Sequence, residues 1–181
     1  LGKSTVVIVY PRMEKDLQQV LEKTELGEKD VKIIMKILLE GMKHVHEKGI
    51  MHRDLKPSNF LLDKEGNLVI ADFGQARVVD SDGSLGLQYT LEVGTKWYKS
   101  PEVLFGYKQY DEKVDLWALG CILAELLTKK PLFPGINDID QIVRISKVLG
   151  NPSESNWEGF EKMPDFGKIA FPKAQKLDLQ D

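Results

Sequence analysis

The chain of 181 residues has little of what would tie it to a membrane, an oxidising compartment or a nucleic acid. Its longest apolar stretches, residues 6–9 and the interrupted run 116–127, fall short of the roughly 20 apolar residues that span a bilayer. One cysteine, Cys121, excludes an internal disulfide, reads as a small core residue, and makes cytosol or nucleus the expected location. A formal net charge of −3 leaves no basic footprint for nucleic acid or an anionic membrane surface. No stretch resembles a signal peptide, and no repeat or low-complexity tract is visible. His44 and His46 have no companion cluster at metal-ligand spacing and read as ordinary helix residues. Arginine is scarce as well: Arg12, Arg53, Arg77 and Arg144 stand against 21 lysines.

What is present suffices for one packed domain, with 42% hydrophobic residues and 29% charged residues mixed along the chain. The expected fold class is mainly α with short β-hairpins. Residues 6–10 are apolar and β-branched and predict a buried strand that Pro11 ends. Asp16 begins a short helix toward Lys23, and 24–28 form a loop around Gly27. Asp30 is the expected N-cap of a long helix in which Val31, Ile34, Met35, Leu38, Met42 and Val45 recur at helical spacing, with Gly49 as its stop. A helix from Asp111 or Glu112 to before Pro131 is apolar on almost every face, which predicts a central, enclosed element; Asp115 inside it needs buried donors. A further helix runs from a cap at Asn137 or Asp138 to Gly150, and 151–181 predict irregular structure packed on the body. Gly2, Lys3 and Ser4 match the tail of a P-loop, but a strand-like run follows where a helix is required, so that reading fails.

The densest chemistry lies in residues 52–74, HRDLKPSNFLLDKEGNLVIADFG. The turn cluster 63–67, between apolar runs 60–62 and 68–70, predicts a hairpin that brings Asn59 toward Asp72 across thirteen positions. Phosphoryl transfer asks a protein for positioning and charge neutralisation, and Asp54, Asn59 and Asp72 are the residue types to orient a hydroxyl and hold a divalent cation. The pattern H-R-D-L-x-x-x-N followed by D-F-G resembles the eukaryotic protein kinases. A second Asp-Phe-Gly at 165–167 has no partner motif and reads as a loop.

That resemblance implies ATP and Mg²⁺ as cofactors, with Asp54 orienting the substrate hydroxyl, Lys56 neutralising the transferring phosphate, and Asn59 and Asp72 binding magnesium. Lys56-Pro57 resembles serine/threonine rather than tyrosine kinases. The stretches TKWYKSPEVLFGYKQYDEKVDLWALGCILAELL, KKPLFPGINDIDQIVRISKVLGNP and MPDFGKIAFP extend the likeness to the cyclin-dependent and mitogen-activated group, in particular the cell-cycle-related kinase subfamily. It then implies a hinge at residues 10–16: Tyr10 as gatekeeper, Pro11 and Met13 offering backbone groups to adenine, Asp16 meeting the ribose, and Leu61 and Ala71 flooring the base. Thr90 falls where this group carries an activating phosphothreonine, with Arg53 and Arg77 as its clamp. Gly94, Thr95 and Lys99 would position substrate, and Gly94 stands where a positive φ angle favours proline after the phosphoacceptor. Asp115 would brace the catalytic loop, and Glu102 would pair with an arginine from helices further along.

Three residues depart from the pattern: Lys99 replaces an arginine, Ser100 an alanine, and Gln75 a leucine. No glycine-rich loop and no strand lysine precede Tyr10. The expectation is therefore a kinase fragment, with 1–15 the end of the small lobe and hinge, and 16–181 a C-terminally truncated large lobe (α+β) with the N-terminal lobe essentially absent. Alone it is expected to be inactive. The parent protein is expected to phosphorylate protein Ser/Thr, with proline-directed specificity, a cyclin-like activator and an activating kinase as partners, and without nucleic acid or membrane. The alternative is a pseudokinase-like binding module.

Overall fold

The computed structural model describes residues 7–80 and 84–171. Helices dominate: α1 (Leu17–Lys23), α2 (Glu28–Glu47), α3 (Pro101–Leu104), α4 (Lys113–Thr128) and α5 (Asp138–Leu149). The strands are short: β1 (Lys15–Asp16), β2 (Ile50–Met51), β3 (Phe60–Leu62), β4 (Leu68–Ile70) and β5 (Arg77–Val78). No helix among the described residues is long and apolar enough to cross a membrane.

Two small antiparallel sheets place the motif residues. In one, β3 lies between β1 and β4, with Phe60 opposite Ile70 and Leu61 opposite both Val69 and Asp16. In the other, β2 pairs with β5, so that Met51, just before the catalytic loop, lies opposite Arg77, just after Asp-Phe-Gly. The expected hairpin thus forms, and its turn is closed by Asp63, whose carboxylate accepts from the backbone N–H groups of Glu65 and Asn67.

The helices start and stop close to where their residues dictate, with one instructive shift. Asp16 caps α1 by accepting from the Gln19 N–H at 2.8 Å, and Asn137 caps α5 by accepting from Asp140. The N-cap of the long helix α2 lies three residues before Asp30: it is Gly27, and Asp30 reaches back from the third position to accept the Gly27 N–H at 2.9 Å. α4 ends through Lys129 in the left-handed conformation, φ 59°, ahead of Pro131.

Leu38 and Met42 of α2 pack with Leu119, Ile122 and Leu126 of α4 and with Phe133 in the main core. A smaller cluster of Met51, Tyr89, Val93, Val103, Tyr110 and Val114 underlies residues 89–95. Two expectations need correction. Residues 7–10 form no strand and are exposed, Val9 at 88%, because no neighbouring strand among the described residues satisfies their backbone. The first of the five residues expected there, Val6, and the P-loop-like residues 2–4 lie outside the described residues. α4 is enclosed on one side only: Leu116, Leu123 and Leu127, at spacings of seven and four, stay exposed. The tail packs on the body as expected as far as Phe171, through Trp157 and Phe160 against Phe105, and Asp165-Phe166-Gly167 sits in turns.

Candidate active site

The segment that carries Asp54 hangs from one buried carboxylate. Asp115, in the first turn of α4 and 1% exposed, accepts from the backbone N–H of His52 (Oδ2, 2.8 Å) and of Arg53 (Oδ1, 2.8 Å), while His46 Nε2 lies 2.9 Å from Oδ2. These donors answer the question that an aspartate inside an apolar helix raises. They also fix Arg53 at φ 71°, a left-handed conformation that costs a non-glycine residue about 1–2 kcal/mol. His52 is fully buried; its Nε2 donates to the Ala71 carbonyl at 2.9 Å, its Nδ1 accepts from the Asp54 N–H at 3.3 Å, and its ring meets Phe73 edge-on at 4.8 Å.

Asp54 is the hub of the polar residues that follow. Its Oδ2 accepts from Lys56 Nζ at 3.0 Å, and its Oδ1 accepts from both the N–H and the hydroxyl of Thr95, at 2.9 and 3.1 Å. The Asn59 amide nitrogen donates to the Asp54 carbonyl at 2.8 Å. That bond fixes which end of the amide is which and leaves the Asn59 oxygen over as a ligand atom. The Asn59 carbonyl in turn accepts from the N–H of Ala71, the residue before Asp72, at 2.8 Å. Asp72 is exposed and left-handed, φ 62°, with one carboxylate oxygen accepting a long bond from the Gly74 N–H at 3.4 Å. One carboxylate, one amide oxygen and open space suit Mg²⁺, which keeps waters and takes further oxygens from substrate phosphates. They would not make an all-protein cage, and no group of three or more His, Cys, Asp or Glu that could hold a metal occurs among the described residues.

The residues expected at a hinge divide. Asp16 and Leu61 are directly paired across β1 and β3, so their side chains share one face of the sheet. Asp16 already spends one carboxylate oxygen on capping α1. Tyr10 and Pro11 are exposed, Met13 and Ala71 half-buried.

Beyond Asp-Phe-Gly, Arg53 joins three segments. Its Nε donates to the Gln75 carbonyl at 2.7 Å, and one terminal nitrogen donates to the Tyr110 hydroxyl at 2.7 Å and lies 3.5 Å from the hydroxyl of exposed Thr90. The other terminal nitrogen, NH2, is buried with no acceptor. Arg77 is not brought to Thr90 by a hydrogen bond; it donates to the Ala76 carbonyl. Gly94 has φ 71°, and a Cβ there would stand 2.7 Å from the Arg53 carbonyl oxygen, so both conformation and space demand glycine. Lys99 donates to the Leu91 carbonyl at 3.2 Å and lies 3.7 Å from Asp138 at the start of α5. Burial pushes the Glu102 carboxyl up from its usual range, and no cation stands within ion-pair distance of it among the described residues.

Some contributors carry no signal in the sequence. His46 is part of the Asp115 bracket although its partner lies 69 positions away. Gln141, fully buried, accepts from the Gly135 N–H at 2.9 Å and donates to the Trp97 carbonyl at 3.2 Å, tying α5 to the residues that follow Thr95.

Known proteins resemble this chain in sequence and in fold. The protein kinase domain family matches residues 2–177. Cyclin-dependent kinase 20 of Danio rerio is 44% identical over 177 residues, which cover 97% of this chain and 51% of that protein. Cyclin-dependent kinase 7 of Xenopus laevis is 46% identical over 171 residues, 93% of this chain and 47% of that one. Among solved structures, a chain of the yeast RNA Pol II CTD kinase CTDK-1 complex superposes with a TM-score of 0.84 at 37% identity, covering 91% of this chain and 55% of its own length. The chain spans about half the length of the curated relatives it matches.

Proposed function

Since the chain belongs to the protein kinase family, with cyclin-dependent kinases among its relatives, we propose that it is the hinge and large-lobe portion of an ATP-dependent serine/threonine kinase, 1–15 ending the small lobe and 16–181 forming the large one. The observation that carries this is the single connected set in which Asp54 is hydrogen-bonded to Lys56, Thr95 and Asn59, and Asn59 to Ala71, the residue before Asp72. A scaffold has no physical need for that set.

Each residue has a derivable task. Asp54, positioned by Thr95 and Lys56, accepts the hydrogen bond of an incoming Ser or Thr hydroxyl and orients it for attack. Lys56, 3.0 Å from Asp54, is near enough to share its charge with the phosphoryl group in transfer. Asn59 and Asp72 would hold Mg²⁺, which supplies charge neutralisation on the phosphates of ATP when bound. Leu61 and Ala71 would floor adenine, Asp16 would meet the ribose, and Tyr10, Pro11 and Met13 would complete the hinge.

Arg53, whose NH1 lies 3.5 Å from the exposed Thr90 hydroxyl and whose NH2 has no acceptor, supports Thr90 as a phosphoacceptor, since a phosphate there would offer oxygens to the guanidinium. Gly94 supports a preference for proline after the target residue, with Thr95 and Lys99 shaping the same turn. A cyclin-like activator and an activating kinase belong to this reading, as does a cytosolic or nuclear site of action.

The test is phosphate transfer by the full-length protein and by Asp54→Asn. The wild type should turn over with MgATP, the variant should lose on the order of 10²–10⁴ in kcat with little change in KM for ATP, and the 181-residue chain alone should transfer negligibly. A full-length protein that binds partners but never turns over would establish the binding-module reading instead.

A further inference from the structure

Residues 89–95 are held by more than the Arg53–Thr90 approach. Tyr89 and Tyr110 are both buried, at 6% and 4% exposure, with ring centroids 5.1 Å apart. The Tyr110 hydroxyl accepts from Arg53 NH1 at 2.7 Å and donates to the Thr90 carbonyl at 2.8 Å. Burial pushes this phenol up, so it remains protonated and able to donate. Tyr89 works on the preceding arm: its hydroxyl donates to the Val78 carbonyl and accepts from the Asp80 N–H, both at 2.9 Å, and its own N–H donates to the Lys108 carbonyl at 2.8 Å. The Arg53 guanidinium carbon lies 6.0 Å from the centre of the Tyr89 ring, so the cation closes the pair from one side.

We propose that Tyr110 is a positioning residue for the activation segment: its hydroxyl ties the Thr90 backbone to Arg53, and with Tyr89 fixing the arm that leaves β5 it holds the segment ordered before any phosphate is added. The inference rests on the kinase reading and on Thr90 as phosphoacceptor. Its consequence is a division of labour. Unphosphorylated enzyme depends on the Tyr110 bridge, whereas a phosphate on Thr90 provides its own bond to Arg53 and makes the bridge dispensable.

The experiment compares full-length wild type and Tyr110→Phe, each unphosphorylated and phosphorylated on Thr90. Phenylalanine keeps the ring against Tyr89 and removes only the hydroxyl. Without phosphate, kcat of the variant is expected to fall on the order of tenfold, and with phosphate to lie within about twofold of wild type. Amide exchange over residues 88–93 should quicken in the unphosphorylated variant and slow again on phosphorylation. A merely structural role would lower activity and melting temperature equally in both phosphorylation states, and that result overturns the proposal, as does unchanged exchange. Wild type inactive in both forms would count against the kinase reading, while the exchange comparison would still decide whether Tyr110 holds the segment.

Discussion

Replacing Asp115 by asparagine removes one oxygen and one charge from the bracket beneath the catalytic loop, and the cost can be worked from its three donors. The amide retains a single acceptor. Its better orientation keeps that oxygen toward the His52 N–H and His46, and turns the NH₂ group toward the Arg53 N–H, 2.8 Å away in the wild type. Arg53 N–H is then a buried donor facing a donor, at about 1–3 kcal/mol. The bond from His52 changes from charge-assisted to neutral, roughly halving its strength. Together the loss is about 2–4 kcal/mol, a large share of the 5–15 kcal/mol that typically separates folded from unfolded protein. At about 2–4 °C per kcal/mol for a domain of 150–250 residues, and less for a longer chain, thermal unfolding of the full-length protein should move down by several degrees. Activity should drop further than stability, because Arg53 at φ 71° loses the bond that offsets its conformation and Asp54 is the next residue. His46→Gln is the graded control: it removes one partner of an oxygen that still serves His52, so it should cost less and leave kcat near wild type. An Asp115→Asn protein that melts within about 2 °C of wild type and turns over normally would refute the reasoning.

Gly94→Ala should lower stability by about 1–2 kcal/mol for its left-handed backbone alone, and the added Cβ, 2.7 Å from the Arg53 carbonyl oxygen, must displace the turn. The ratio of kcat/KM for Ser-Pro over Ser-Ala peptides should fall with it; an unchanged ratio would remove Gly94 from specificity. Glu125 is 2% exposed and accepts from the Tyr98 hydroxyl at 2.7 Å, and burial pushes its carboxyl up despite that bond. The folded state therefore holds the Glu125 proton to higher pH than the unfolded chain does. Its contribution to stability is present below the ordinary carboxylate range and is lost as pH rises through the raised folded value. Melting curves of wild type and Glu125→Gln, taken from the acid side upward, should show the variant gaining on the wild type with rising pH; a constant difference would contradict the assignment.

Helices and motifs were legible in the sequence for different reasons. The spacing of Val31, Ile34, Leu38 and Met42 reports burial directly, because one stripe of α2 must face the core. Boundaries were less legible: Asp30 has the chemistry of a cap, yet acts from the third position while Gly27 stands at the end. The hairpin between Asn59 and Asp72 was legible because a three-residue strand, a tight turn and a second strand are written in consecutive residues, Phe60 pairing with Ile70. His46 and Tyr110 were not, since their partners lie 69 and 57 positions away and nothing in the local pattern of either residue points there. Residues 7–10 have the right side chains for a strand, but a strand exists only through its neighbour, and composition does not report the neighbour.

Arg53 shows why so few arginines suffice. Its backbone N–H reaches Asp115, its Nε the carbonyl just past Asp-Phe-Gly, and its NH1 the Tyr110 hydroxyl that also holds the Thr90 backbone. A lysine offers one nitrogen on a flexible stem, whereas the planar guanidinium places separate nitrogens on the Gln75 carbonyl and the Tyr110 hydroxyl and still leaves NH2 without an acceptor. The left-handed backbone at this position sends the side chain toward the segment around Thr90 while the carbonyl faces Gly94, where only hydrogen fits. One residue thus links residues 52–54, the exit of Asp-Phe-Gly and the segment around Thr90, and under the proposed role of Thr90 as phosphoacceptor a phosphate there would bear on the residue next to Asp54.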